Sequence, residues 1–462
     1  MANNVSPARK AAFEILRKIE IERGFSAILL PAYEENLKPE DRSLCHTIVL
    51  GVLRKQFWLN SLIEHFSGKK TEKLDSAVKI ALQIGLFQLR FLEKIPARAA
   101  VNESVNLVYL AKKRSAAGFV NAILRKSERE TAFNPLDKVE NPLEKLSVET
   151  SHPLWLLKKW ERQFGFEETA KLAKSNNSQP PTAFRLTNQN DSTIFAELET
   201  AGAIVEKSKI AANAFRVSGA NQTIRKLVAD GQIYLQDEAS QLVGETVASL
   251  ESGVESREFS FLDVCAAPGS KTTQIVSRQS SVVSRFSSRR TTDNEQLTTL
   301  FVAGDFTVPR VRILKETVDK FGSNEIKIVR YDARNLPFAD ESFDLVLVDA
   351  PCSGTGTIRH NPEIRFHLKE TDFQELADLQ QNILESAARV VKKNGRVVYS
   401  TCSLEPEEGE EAVASFLAKN NEFKVVAENL PEQFLTAESF ARTFPQRDDA
   451  DGFFIAILHR TD

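Results

Sequence analysis

The sequence predicts a multidomain chain: an all-α front over residues 1–135, a small α+β segment over 151–245, and an α/β domain over 246–462. Three observations predict it. Apolar residues recur at helical spacing through the first 130 residues. Short strand and helix signals then mix. From about residue 259, apolar runs of strand length alternate with helical stretches, which implies a parallel sheet. At 462 residues, several domains with large cores are expected.

In the front, Ser6-Pro7 reads as a cap followed by a first-turn proline. Ala12, Ile15, Leu16 and Ile19 then share one face, and Gly24 ends the helix. Lys38-Pro39-Glu40-Asp41 opens a second helix with Leu44, Ile48, Leu50 and Leu53 as its apolar set. Asp75 precedes a third, with Val78, Ala81, Leu82, Leu86 and Leu89 inward, and Ile95-Pro96 stops it. Val101 to Leu110 and Phe119 to Leu124 complete a bundle.

Net charge is −3 overall, but residues 1–130 carry 22 Lys+Arg against 14 Asp+Glu, a net of +8 on an acidic remainder. Arg54, Lys55, Arg90, Arg98, Lys112, Lys113, Arg114, Arg125 and Lys126 fall at helix ends and loops. A basic domain on an acidic body suits a polyanionic partner, although a solvated helical surface can be basic without one. Four scattered cysteines make no disulfide framework, and no spacing suggests a metal site. The first ten residues lack the apolar core of a signal peptide, and no run reaches membrane-span length, so a cytoplasmic, membrane-free protein is expected.

Residues 131–150 are polar and contain proline, the composition of a linker. Ser151-His152-Pro153 begins a helical stretch with Trp155, Leu156, Trp160 and Phe164. Strands are expected at 184–188, 215–217 and 233–235, with a helix at 193–201. Mixed sheets of this size serve as support or hold single-stranded RNA. Further strands are expected at 259–264, 299–304, 326–330, 343–348, 396–400 and 453–458. Ser277 to Arg290 breaks the rhythm with six serines and four arginines in fourteen residues, and reads as a surface insertion of disorder-prone composition.

The chemistry converges on Val397 to Ser403. Lys392-Lys393-Asn394-Gly395 reads as a helix end in which the glycine takes positive φ. Residues 396–399 read as a buried strand, and Leu404-Glu405-Pro406-Glu407-Glu408 as a helix start. Cys402 thus falls between a strand end and a helix amino end, an edge where ligands bind and thiolates are favoured. Most free cysteines are simply small buried residues.

Phe261 to Thr272 is a strand running into a small-residue turn and a helix. Its small side chains admit a ligand to the backbone. The spacing is neither GxGxxG nor a phosphate loop, so a nucleoside with a carboxylate tail suits it better than a nucleotide phosphate. Asp305, Asp332 and Asp349 close three successive strands, which favours a shared ligand site over unrelated solvated acids. Asp305 could accept both ribose hydroxyls, and Asp332 could meet an adenine amino group. Cys352 ends a neighbouring strand, 50 residues before Cys402. Two thiols at one edge could form a redox pair, bind metal, or share one substrate. No third ligand favours metal. Thiolate addition to carbon-6 of a cytosine would activate its carbon-5, and Asp349 is placed to hydrogen-bond the base edge.

Two sets of residues carry a resemblance. IALQIGLFQL (80–89), IPARAAVNE (95–103) and GFVNAILR (118–125) resemble the helical NusB-type RNA-binding domain. DVCAAPGSKT (263–272), DAPCSGTG (349–356), STCSLEPEE (400–408) and DGFF (451–454) resemble the motif set of the Nol/Nop/Sun family of RNA cytosine-5 methyltransferases, in its small-subunit ribosomal RNA branch. The resemblance implies a Rossmann-like domain binding S-adenosyl-L-methionine through Cys265, Ala266, Ala267, Pro268, Gly269, Ser270, Lys271, Asp305, Asp332 and Asp349. It also implies Cys402 as nucleophile, Cys352 in product release, and ribosomal RNA as partner; a monomer without metal is expected. Ser270 stands where many members have glycine. DNA cytosine methyltransferases instead attack with the cysteine of their Pro-Cys motif, which would be Cys352. A non-catalytic RNA-binding factor is a further alternative, against which the intact cysteine pair argues.

Overall fold

The computed structural model describes residues 5–188, 192–250, 258–287, 298–322 and 325–461. They form two compact units: residues 1–179 with 358–370, and residues 180–357 with 371–462.

The first unit is helical. Its helices include Pro7–Glu22, Ser26–Glu34, Pro39–Arg54, Gln56–Ser67, Ser76–Phe91, Ala97–Leu110 and Ala117–Arg129. Apolar faces at helical spacing meet in one core containing Phe13, Ile48, Leu62, Leu82 and Val120. Asp75 caps the Ser76 helix by accepting from Ala77 N, as its position predicted. Ser6 differs: its hydroxyl makes no cap and instead donates to Glu103 at 2.6 Å. The first helix ends at Glu22, with Arg23 rather than Gly24 in the left-handed region. Gly51 is required by close approach, since a Cβ there would lie 1.9 Å from Phe87.

Residues 142–150 are not a structureless linker. Asn141 caps the helix Pro142–Thr150, whose Leu143 and Leu146 are buried. The following helix, Leu154–Ser175, is broken at Gly165, where φ is 79° and ψ 165°. Residues 358–370 complete this unit from far along the chain. The Ser26 amide donates to Glu363 at 2.6 Å. The Arg365 guanidinium donates to Thr150 O at 2.8 Å and Asn177 Oδ1 at 2.9 Å.

The second unit begins with a four-stranded antiparallel sheet of β1 (Thr182–Leu186), β2 (Ile204–Lys207), β3 (Ala214–Ser218) and β4 (Ile233–Leu235), in the order β2-β3-β1-β4. Helices Thr193–Thr200 and Asn221–Ala229 cover Phe184, Val217 and Ile233. Helix Glu238–Leu250 follows.

The larger sheet contains β5 (Glu258–Asp263), β6 (Thr298–Asp305), β7 (Ile326–Arg330), β8 (Phe343–Asp349), β9 (Val391–Thr401), β10 (Phe423–Val426), β11 (Ala441–Arg442) and β12 (Phe454–Arg460). Its order is β10-β12-β9-β8-β5-β6-β7, with β11 pairing β12. β5 to β9 are parallel, as the alternation of strands and helices implied. β12 is antiparallel to both β9 and β10. Residues 427–453 between β10 and β12 hold β11 and only short helical turns, not the long helix that usually carries a parallel crossover.

Two local expectations are corrected. The helix before β9 ends at Val390, and residues 392–395 bulge from the β8–β9 ladder. Asn394, not Gly395, takes positive φ, at 61°. Gly395 serves close packing, because a Cβ there would lie 2.7 Å from Val391. The Ser/Arg-rich stretch also differs: its residues up to Ser287 continue the helix Ser270–Ser287, while 288–290 lie outside the described residues.

Candidate active site

β8 and β9 run parallel with Asp349 opposite Ser400, so both strands deliver their next residues to the same edge. Cys352 and Cys402 follow, and their sulfurs stand 3.2 Å apart. The Gly356 amide donates to Cys402 O at 3.0 Å, tying the two turns together. Gly356 must be glycine here: a Cβ would lie 2.0 Å from Gly452 O, in the DGFF segment. The turn after Cys402 corrects the sequence reading. Pro406–Glu408 is one 3₁₀ turn, and the α-helix begins only at Glu410. Cys402 therefore gains no adjacent helix amino end.

Cys352 is held well above the ordinary thiol pKa, first by its hydrogen bond to Cys402 and then by desolvation. Either sulfur can be the donor of that bond.

Each acid expected at this edge meets a cation. Asp349 Oδ2 takes the Lys271 ammonium at 2.8 Å, and its Oδ1 accepts from Ser400 Oγ at 2.8 Å. Burial opposes charge on Lys271, but Asp349, with Cys402 and Asp263 contributing, raises its pKa overall. Lys271 Nζ also lies 5.1 Å from the centre of the Phe453 ring. Asp305, the last residue of β6, accepts from Arg310 Nε at 2.7 Å and Nη2 at 3.0 Å. The amides of Ala267 and Phe306 donate to it at 3.1 and 2.8 Å. Asp332 stands two residues past β7 and is chelated by Arg334, whose hydrogen bonds lower its pKa.

Sequence reasoning missed Asp263 as a site group. It is buried at the end of β5, accepts from Thr272 Oγ1 at 2.6 Å, and leaves Oδ1 without a hydrogen-bond partner. Burial, against the Thr272 bond and with Asp349 adding, pushes its pKa up to about 7. Arg310 was missed too; its signal is a basic residue in the first turn of the helix after β6.

The small-residue turn holds Cys265 to Lys271 beside these acids. Ala266 N donates to Gly304 O at 2.9 Å, and Gly269 takes φ of 105°, which glycine permits. Burial pushes the Cys265 thiol well up, with Asp305 adding. Ser270 starts the helix and is not among the residues of positive φ, so a serine stands there without strain. Arg185 of β1 reaches Ser270 O at 3.2 Å and Thr273 Oγ1 at 2.8 Å, supporting the turn from beneath.

Acids at successive parallel strand ends, beside a small-residue turn into a helix, define a Rossmann-like nucleoside-binding domain, with two thiols adjoining it. Residues 253–459 match the family model described as 16S rRNA methyltransferase RsmB/F, residues 6–129 the NusB family, and residues 152–223 the RsmF/B-like ferredoxin-like domain. The probable ribosomal RNA small subunit methyltransferase B of Bacillus subtilis is 30% identical, with 98% of each chain covered. The ribosomal RNA small subunit methyltransferase B of Vibrio cholerae is 29% identical, over 93% of this chain and 92% of that one. The crystal structure of PH0851 is similar with a TM-score of 0.82 at 26% identity, covering 99% of both chains. A methyltransferase homolog protein from Pyrococcus horikoshii shares the fold, with a TM-score of 0.56 at 21% identity over 70% of this chain and 100% of that one.

The chain belongs to the RsmB/F family of 16S rRNA methyltransferases, and its cofactor is S-adenosylmethionine. The residues present fit that cofactor: a carboxylate at the end of β6, a turn whose Gly269 adopts a conformation closed to larger residues, and the amino end of the helix at Ser270. No helix of the described residues is long and apolar enough to cross a membrane.

Proposed function

We propose that this enzyme forms 5-methylcytosine in 16S rRNA through a covalent bond between Cys402 and carbon-6 of the target base. The observation that carries the reading is the sulfur pair, 3.2 Å apart, at the edge that also carries Asp349 and Lys271. Cys402 Sγ adds to carbon-6, and the electron pair displaced toward carbon-5 makes that carbon nucleophilic. Asp349, oriented by Lys271 and Ser400, hydrogen-bonds the base edge and stabilises the adduct. S-adenosylmethionine supplies the electrophilic methyl group when bound. Cys265 to Lys271, Asp305, Asp332 and Asp349 would hold it. A base then takes the carbon-5 proton, its electron pair re-forms the 5,6 double bond, and the carbon-6–sulfur bond breaks to release Cys402 as a thiolate, which the Cys352 thiol can hydrogen-bond.

The target cytosine must leave its stack to reach this edge. The basic helical unit and the small sheet are assigned to the surrounding RNA, through backbone and shape, so binding weakens as salt rises. A single chain suffices, no step calls for a metal, and the compartment that goes with this substrate is the cytoplasm.

Denaturing gels test the assignment. Cys402→Ala abolishes the adduct, and Cys352→Ala accumulates enzyme bound to RNA. A gel-stable complex formed by the Cys402 variant, and not by the Cys352 variant, reverses the two roles. Bisulfite sequencing of 16S rRNA treated with wild-type enzyme reads the product; a methyl group found away from cytosine carbon-5 ends the proposal.

A further inference from the structure

Behind the two thiols lies a carboxylate that the chemistry above does not use. Glu408 is fully buried. Its Oε2 accepts from the hydroxyls of both Ser353 and Ser403, the latter at 2.5 Å. Its Oε1 accepts from the Ser353 amide at 2.8 Å and from Gln380 Nε2 at 3.0 Å. Ser353 and Ser403 each directly follow one of the two cysteines. One carboxyl group therefore grips both cysteine turns at the residue next to the sulfur. The serine hydroxyls also stand 3.1 Å from each other.

The carboxylate is itself braced. Tyr399 OH lies 2.9 Å from both Gln380 Oε1 and Glu408 O, and its one proton can go to either. The 3₁₀ turn Pro406–Glu408 is what carries Glu408 back beneath Cys402. Two apolar side chains could pack these turns without the cost of burying a carboxyl group. What they could not do is fix the rotation of both turns through directed hydrogen bonds. Four donors converge on Glu408, and an ionised carboxylate accepts all four, whereas the protonated acid must donate once.

We propose that Glu408 is a positioning residue for methyl transfer: by holding Ser353 and Ser403 together it sets the spacing and orientation of the Cys352 and Cys402 sulfurs. The proposal rests on both thiols acting on one base. Burial, opposed by its four donors, keeps the pKa of Glu408 above the ordinary glutamate value, so activity should lose this support on the acid side while the fold persists.

The test uses the full chain with Glu408→Gln, Glu408→Asp and Ser403→Ala. Dibromobimane, which fluoresces when both of its arms alkylate thiols, reads the sulfur pair without RNA or cofactor; a Cys352→Ala/Cys402→Ala protein supplies the background. Single-turnover methylation of 16S rRNA across pH reads the reaction, and titration with S-adenosylmethionine reads the cofactor site. For Glu408→Gln, bridging should slow at least fivefold and methylation at least tenfold, with cofactor affinity within twofold and the acid limb of the rate profile displaced. Glu408→Asp should recover part of the rate. Ser403→Ala, which keeps the carboxylate, should lose threefold to tenfold in rate. Bridging and methylation within twofold of wild type in both Glu408→Gln and Ser403→Ala would overturn the proposal, as would an equal loss in Phe416→Ala, a core change away from the thiols. The bridging arm reads Glu408 even if the wild-type protein leaves cytosine unmethylated, so the two proposals fail separately.

Discussion

Lys271 at the edge of the large sheet and Arg365 in the helical unit are both buried cations, yet their pKa values move in opposite directions. Lys271 is raised, because Asp349 and its neighbours outweigh desolvation. Arg365 is lowered to about 9, by burial first and then by Arg54. Its described partners are the carbonyls of Thr150 and Pro362, the Asn177 amide and the His152 ring. A guanidinium spreads its charge over five donors and stays protonated at neutral pH in such company; an ammonium would be less secure. The lesson is functional. Neutral hydrogen-bond acceptors, with the Glu363 carboxylate nearby, suffice where the cation only joins chain segments. Next to the thiols the cation comes with a carboxylate, Asp349, which the proposed reaction sets against the base edge.

The comparison can be broken at either end. The largest effect is expected from Lys271→Met, which leaves Asp349 without its cation. Single-turnover methylation should fall on the order of 10²-fold or more, with the fold retained by circular dichroism. A rate within threefold of wild type would mean that the pair does not serve the reaction. Arg365→Met should cost stability rather than chemistry, about 3 kcal/mol in urea unfolding of the helical transition, because buried carbonyl and amide acceptors lose their donor. Arg365→Lys should recover only part of that. A loss under 0.5 kcal/mol would show those acceptors finding other partners.

A third buried group sharpens the picture through the pH dependence of stability, with the smallest change per step. Asp263 has a folded pKa of about 7, above its unfolded value. Between the two values the unfolded chain has released the proton and the folded chain has not. Stability should therefore fall as pH rises from about 4 to about 7, by at most about 1.4 kcal/mol per pH unit, and level off above. Asp263→Asn should flatten that slope; an unchanged slope would assign it to other groups.

Much of the catalytic edge was legible because its signals are local. An apolar run, small residues and an acid or cysteine at fixed offsets describe β5, β8 and β9 and the turns after them. Cys352 and Cys402 were expected at one rim because each follows a parallel strand, and their sulfurs stand 3.2 Å apart. The misses are non-local. No periodicity marks residues 358–370 as part of the helical unit, since Glu363 and Arg365 find Ser26 and Thr150 more than 200 residues away. Pro406 with two following acids looks like an α-helix start, but the turn stops at Glu408, whose carboxylate is bonded to both cysteine turns. The last strand reads like its neighbours and differs only in direction, a property that pairing with β9 and β10 decides.

From residue order alone came the helical front, the alternation of strands and helices behind the parallel sheet, the small-residue turn and the chemical types gathered at the sheet edge. All are consequences of side-chain spacing along a chain with 3.6-residue and 2-residue periods. How close the two thiols come, which carboxylate is neutralised by Lys271 and which is left buried with an unpaired oxygen were settled only by folding. Those properties depend on desolvation and on charges a few ångströms away, brought together from segments that no sequence window spans.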